Sequence, residues 1–241
     1  MAHKIFIGHN FFGAGNFGDD LMLDRFLRRL AVCGRQATVT ACTPHDVESQ
    51  RRRFPAIQWV AESDGLEFAD LWLGLGGTPF QLECGPWSLD HLDRERERCS
   101  RLGKPMVFLG VGCDSPDSVR DSRGRRAVEA AERIWTRDAR SAEAIDGVAA
   151  ADVVTAGADL AHISLGAAVT PAPEPALLGL LFGLQGPGIV DLPAVEQIVA
   201  SRLPAKTRWL IQEARSFPST ERWNLADLPP ISLPNETRVL G

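Results

Sequence analysis

Apolar residues along the first two thirds of this chain follow two different periods in turn. Short, nearly continuous apolar runs at residues 5–8, 37–42, 57–60, 71–75, 106–110 and 134–136 read as buried strands. Between them lie segments whose apolar residues recur at helical spacing, as in the stripe Leu23, Phe26, Leu27 and Leu30. Strands that alternate with helices predict an α/β fold with a doubly wound parallel sheet, Rossmann-like in its winding. Three of the strands run into glycine: Gly13, Gly15 and Gly18 after the first, Gly76 and Gly77 after residues 71–75, and Gly110 and Gly112 after residues 106–109. Parallel topology brings such loops to one edge of the sheet, where α/β proteins bind ligands.

The spacing of Gly13, Gly15 and Gly18 satisfies the G-x-G-x-x-G pattern of a dinucleotide site. Chemistry speaks against that use. A pyrophosphate needs the free N–H groups and positive end of the following helix. Here that end carries Asp19 and Asp20, whose carboxylates compete for the same donors and repel phosphate. The acidic residue expected about 20 positions on to hold a ribose has one counterpart, Asp46, beyond the second strand. A nicotinamide oxidoreductase therefore rests on the glycine pattern alone.

Other charged stretches carry less. Arg51, Arg52 and Arg53 read as a solvated helix end, and residues 89–102 as an exposed helix with salt-bridged faces. Arg120, Arg123, Arg125 and Arg126, at the start of a helix ending near Ala131, are placed to steer an acidic ligand. At the end of the 134–136 strand, Asp138 is positioned to cap a helix over 141–145. Arg137 projects there with a planar fork suited to a carboxylate or phosphate, or to a structural ion pair. Asp159 reads as a further cap and His162 as a core histidine.

Composition narrows the class. A net charge of −5 leaves no basic surplus for nucleic acid. Five cysteines without a C-x-x-C pair suit reduced thiols and a cytoplasmic location. A strand beginning at Ile5 leaves no room for a signal peptide, and no apolar run is long enough for a membrane span. The three prolines of residues 170–175 mark a linker. The predicted organisation is an N-terminal domain over 1–168, a linker over 169–176, and a partial second α/β unit over 177–241. That unit holds strands at 177–184 and 207–212, a helix at 191–203, and an irregular Pro-rich tail from Phe217.

Taken in order, several short motifs resemble the first lobe of the polysaccharide pyruvyltransferase family. They are Gly15-Asn16-Phe17-Gly18-Asp19-Asp20, Leu75-Gly76-Gly77, Gly110-Val111-Gly112, Thr136-Arg137-Asp138 with Ser141, and Gly157-Ala158-Asp159-Leu160. The resemblance covers roughly residues 4–165. It implies a glycosyltransferase-B-like pair of lobes, the second truncated here. The implied enzyme is a transferase of polysaccharide biosynthesis that moves the enolpyruvyl group of phosphoenolpyruvate onto two sugar hydroxyls, giving a pyruvate ketal and phosphate. In that reading Asp19 and Asp20 are catalytic. Asn10, Gly15, Asn16, Gly18, Gly76, Gly77, Gly110, Gly112 and Arg137 bind substrate. Phosphoenolpyruvate is the donor, no cofactor or metal is needed, and the acceptor is a saccharide or a nucleotide- or lipid-linked sugar. A homo-oligomer is left open. The family's second lobe supplies a donor-site histidine, and no histidine follows His162. A second reading therefore stands beside the first: a non-catalytic sugar- or nucleotide-binding relative, or a partner of a full-length enzyme.

Overall fold

The computed structural model describes residues 3–9, 12, 17–33, 37–42, 47–60, 63–82, 85–163, 178–183, 207–212 and 237–240. The chain divides into two units, Met1–Gly13 with Gly18–Gly166, and Ala14–Phe17 with Ala167–Gly241.

In the larger unit seven strands form one sheet: β1 (His3–Gly8), β2 (Ala37–Cys42), β3 (Ile57–Val60), β4 (Leu71–Leu75), β5 (Met106–Val111), β6 (Ala131–Thr136) and β7 (Val154–Ala156). Their order is β3-β2-β1-β4-β5-β6-β7, and every neighbouring pair is parallel. The chain winds outward from β1 to β3, then returns to place β4 on the other side of β1 and winds outward again. The direction reverses between β1 and β4. Since parallel crossovers are right-handed, that reversal sends the helices of the two halves to opposite faces.

Two separate cores record the winding. Side chains alternate across a strand, so Ile5 and Ile7 of β1 face one way and Phe6 the other. On the first face lie Val39, Ala41, Leu73 and Leu75, packed with Met22, Leu23 and Phe26 of α1 (Phe17–Val32). On the second face Phe6, Trp72, Phe108 and Ile134 pack with Leu89 and Leu92 of α3 (Trp87–Leu102). Val119 of α4 (Pro116–Arg120), Val128 of α5 (Ser122–Glu129) and Ile145 of α6 (Ala139–Asp146) complete that core. Trp72 and Phe80 both pack on the Phe108 ring, with centroids 5.2 and 5.3 Å away. Burying each of these large side chains contributes roughly 2–3 kcal/mol. The doubly wound parallel fold expected from the strand–helix alternation is the fold observed.

Three local expectations need correction. The helix expected between the 120s and Ala131 is two helices, because Asp121 adopts an extended ψ of 141° and caps α5 by accepting from the Arg123 amide. Helix α3 is not simply a solvated helix: Ser88 and Glu95 are buried with its apolar residues. His162 is an exposed residue closing a short 3-10 turn, not a core histidine. Helix α2 (Val47–Arg53) does end in the three arginines, as expected.

The smaller unit shows a three-stranded parallel sheet in the order β10-β9-β8, formed by β8 (Leu178–Gly183), β9 (Thr207–Gln212) and β10 (Thr237–Leu240). β10 lies in the tail expected to be irregular. The linker over 169–176 and the helix expected over 191–203 lie outside the described residues. Among the described residues no helix is long and apolar enough to cross a membrane.

Candidate functional site

The register pairs Gly8 with Gly74, so β1 and β4 end level with each other at the point where the winding reverses. In open parallel sheets this is the crevice that takes ligands. Its first wall is built by β1. A Cβ on Gly8 would collide with the Trp72 indole nitrogen and Glu95 Oε2, so only glycine lets that pair meet behind the strand. The indole N–H donates to Glu95 Oε2 at 2.7 Å, and Glu95 Oε1 lies 3.5 Å from His91 Nε2.

His9 follows with φ 47°, in the left-handed region that favours glycine. Its ring is buried, with Nε2 3.0 Å from the Ser88 carbonyl oxygen and 3.1 Å from Ser88 Oγ. The Ser88 hydroxyl donates onward to the Pro79 carbonyl at 3.0 Å. Both Ser88 oxygens are thus acceptors toward the ring, which fixes the proton on His9 Nε2. Burial, with the neighbouring His91, lowers the His9 pKa to about 4 against a partial offset from Glu95. The ring is neutral at physiological pH. This histidine–serine–glutamate cluster was not foreseen. Its one sequence signal was the spacing of Ser88, His91 and Glu95, which puts all three on a single side of α3.

The first turn of helix α1 carries both expected acidic residues. Gly18 is exposed, Asp19 is half-buried, and Asp20 is buried with Oδ2 2.6 Å from Arg53 Nη2. Arg53 is therefore more than a solvated helix end: it holds the Asp20 carboxylate and stacks over Phe54, 5.9 Å from the ring centre. Asn10, Gly15 and Asn16 lie outside the described residues.

The second wall comes from β4, β5 and β6. Gly76 and Gly77 have φ of 63° and 68°, and Gly76 sits against the Met22 sulfur of α1. Their loop is bonded to the next one: the Gly76 amide donates to the Leu109 carbonyl at 2.8 Å, and the Gly112 amide to the Gly77 carbonyl at 2.8 Å. Gly110, also at positive φ, packs on Leu160. Arg137 lies across Gly112. A Cβ there would be 2.5–2.7 Å from its Nε, Cζ and Nη2, so a bare backbone is what lets the guanidinium lie flat.

The Arg137 amide donates to the Val111 carbonyl at 2.9 Å, and its Nε is 3.5 Å from Asp138 Oδ2. Asp138 caps α6 as expected, accepting from the Ser141 amide at 2.7 Å; that bond above all holds its carboxyl below the usual range. Ser141 Oγ in turn accepts from the Cys113 amide at 3.1 Å. Burial pushes the Cys113 thiol up, away from a reactive thiolate. The structure thus gathers Gly76, Gly77, Gly112 and Arg137 into one bonded group. A groove of about 240 Å³ opens beyond it, lined by Cys113, Asp114, Ser115, Arg120, Arg140 and Glu143 among others.

Two of the arginines expected to steer a ligand are occupied. Arg123 is held by Asp90 at 2.7 Å and Asp121 at 2.8 Å, and Arg126 by Asp93 at 2.5 Å. The Asp90 and Asp93 pairs staple α5 to α3. Among the described residues no group of three or more His, Cys, Asp or Glu is placed to hold a metal ion.

No model of a known protein family matches the sequence, and no curated protein does. Solved structures are similar to this chain. A protein from Listeria monocytogenes assigned as a UDP-N-acetylglucosamine 2-epimerase superposes with a TM-score of 0.53 at 12% identity, over 88% of this chain and 63% of that one. Anabaena HepE, solved in complex with UDP, superposes at 0.49 and 12% identity, over 87% of this chain and 60% of its own. The chain therefore spans about three fifths of the length of these structures.

Proposed function

We propose that this chain is a saccharide-modifying transferase that uses phosphoenolpyruvate, in the manner of the polysaccharide pyruvyltransferases its motifs resemble. The observation that carries the reading is the Arg137 guanidinium laid over the bare backbone of Gly112, beside the Gly76–Gly77 turn. A planar fork held at a sheet's carboxyl edge suits a donor that carries both carboxylate and phosphate. The fold it shares with a protein assigned to UDP-N-acetylglucosamine chemistry accords with a sugar as the other substrate.

In this reading a general acid protonates the vinyl CH₂ carbon of the donor, and one sugar hydroxyl adds to C2 as its proton leaves to a base. A second hydroxyl then displaces phosphate at C2, its proton leaving with the phosphate, and closes the ketal. Asp19, half-buried in the first turn of α1, is the carboxylate proposed for the base. Asp20, buried against Arg53, holds α1 in place instead.

One observation favours a second reading. Committing the buried Asp20 carboxylate to an ion pair with Arg53 removes one of two expected catalytic groups, which suits a binding module for a sugar or nucleotide. Calorimetric titration with phosphoenolpyruvate, with UDP and with NADH separates the readings. Saturable phosphoenolpyruvate binding, weakened at least tenfold in Arg137→Lys, is the expected result, followed by phosphate release with an accepted sugar. Binding of UDP alone would replace the first reading with the second. Heat from neither would sink both.

A further inference from the structure

We infer that His9 is a positioning residue that ties the end of β1 to the loop leaving β4, through Ser88. The inference takes its ligand from the function proposed above, but its geometry stands alone.

Glycine is the ordinary solution for a left-handed residue at a strand end, and this chain uses it at Gly76, Gly77 and Gly110. At position 9 it places a histidine with φ 47° instead. A strained backbone of this kind persists only where the surroundings over-determine it, and here the ring supplies the reason. Nε2 reaches the Ser88 carbonyl and hydroxyl at 3.0 and 3.1 Å, and the same hydroxyl donates to Pro79 O at 3.0 Å. Gln81 adds a weaker contact to Ser88 Oγ at 3.4 Å. One serine thus joins the residue that follows β1 to the loop that leaves β4. The β1 and β4 strands themselves pair only as far as Gly8 and Gly74, so beyond the sheet this clamp continues their alignment.

Ser88 is fully buried and His9 nearly so, so bulk water does not replace either bond when it is lost. His91, its ring centre 5.3 Å from that of His9, and Glu95, bonded to Trp72, close the cluster from α3. Burial keeps the ring uncharged, so the bond does not depend on a counter-ion.

The test compares His9→Gly, His9→Asn and Ser88→Ala with the unchanged chain. Glycine relieves the backbone and removes the ring, while asparagine tolerates a left-handed φ but lacks the ring's reach. Hydrogen exchange of the 76–82 and 85–91 amides is expected to speed up at least fivefold in both His9 variants and less in Ser88→Ala. Exchange in the β5 and β6 amides should be unchanged. Affinity for phosphoenolpyruvate or UDP, whichever the unchanged chain binds, should fall about tenfold in His9→Gly. Uniformly faster exchange across the sheet would mean a merely structural histidine, and unchanged exchange at 76–91 would mean no clamp; either overturns the inference. If the unchanged chain binds neither probe, the proposed function fails, and exchange alone decides the clamp.

Discussion

The two halves of the sheet's carboxyl edge are built from opposite materials. At β1 and β4 the fixing bonds are buried and run between largely uncharged groups: His9 to Ser88, Ser88 to Pro79, and the Trp72 indole to Glu95. At β5 and β6 they are a helix cap and a charged fork: Asp138 on the Ser141 amide, and Arg137 flat on Gly112. The first half excludes water and keeps its histidine neutral. The second leaves Arg137 and Asp138 partly exposed, with side chains at 34% and 46% of full accessibility. The difference separates two duties. Rigid placement comes from desolvated hydrogen bonds, which are costly to break, whereas capture of an anion needs a charge that solvent and ligand can both reach.

Breaking the buried half should have the largest effect. Gly8→Ala drives a methyl into the Trp72–Glu95 hydrogen bond, and overpacking plus a severed buried bond is expected to cost about 3–4 kcal/mol. Chemical denaturation reads this directly, and a loss below about 1 kcal/mol would show that the pair shifts freely.

Acid probes the same half more gently. The folded pKa of His9, about 4, lies below the ordinary 6.5, so the unfolded chain binds the extra proton first. The stability linked to a neutral His9 is complete above pH 6.5 and is lost as pH falls from there toward 4. Between pH 7 and 4.5 the loss from this group is about 2 kcal/mol. It should vanish from the pH profile of His9→Asn, while the acid loss shared by the carboxylates remains in both proteins. Superimposable slopes would assign the acid sensitivity elsewhere.

The smallest effect on stability is expected in the charged half. In Gly112→Ala the new methyl meets the far end of a flexible arginine, which can swing aside, so stability should change by less than about 1 kcal/mol. Affinity for phosphoenolpyruvate should nevertheless fall about tenfold, because Arg137 no longer lies where the backbone holds it. Equal losses of stability and affinity would erase the contrast between the two halves.

Much of this edge was legible in the chain itself, for local reasons. Strands β2 and β3 fall where the apolar runs place them, and Asp138 and Asp159 cap as read, because periodicity and capping act within a few residues. Parallel winding followed from the alternation of strand and helix, and with it the gathering of Gly76, Gly77, Gly112 and Arg137. The pairing of Asp20 with Arg53 was beyond that reach: it joins two helices 33 positions apart, and nothing in either segment names its partner. Glu95 was invisible for the same reason. Among the arginines and glutamates of α3 it looks like its neighbours, and only the packed sheet shows that the space left by Gly8 receives it. His9 taught the same lesson from the other side, since a histidine after an apolar strand carries no sign of φ or of a serine 79 residues away. Sequence determined which segments become strands and helices, since those forces are local. Tertiary structure decided which polar groups lose water and must therefore find each other.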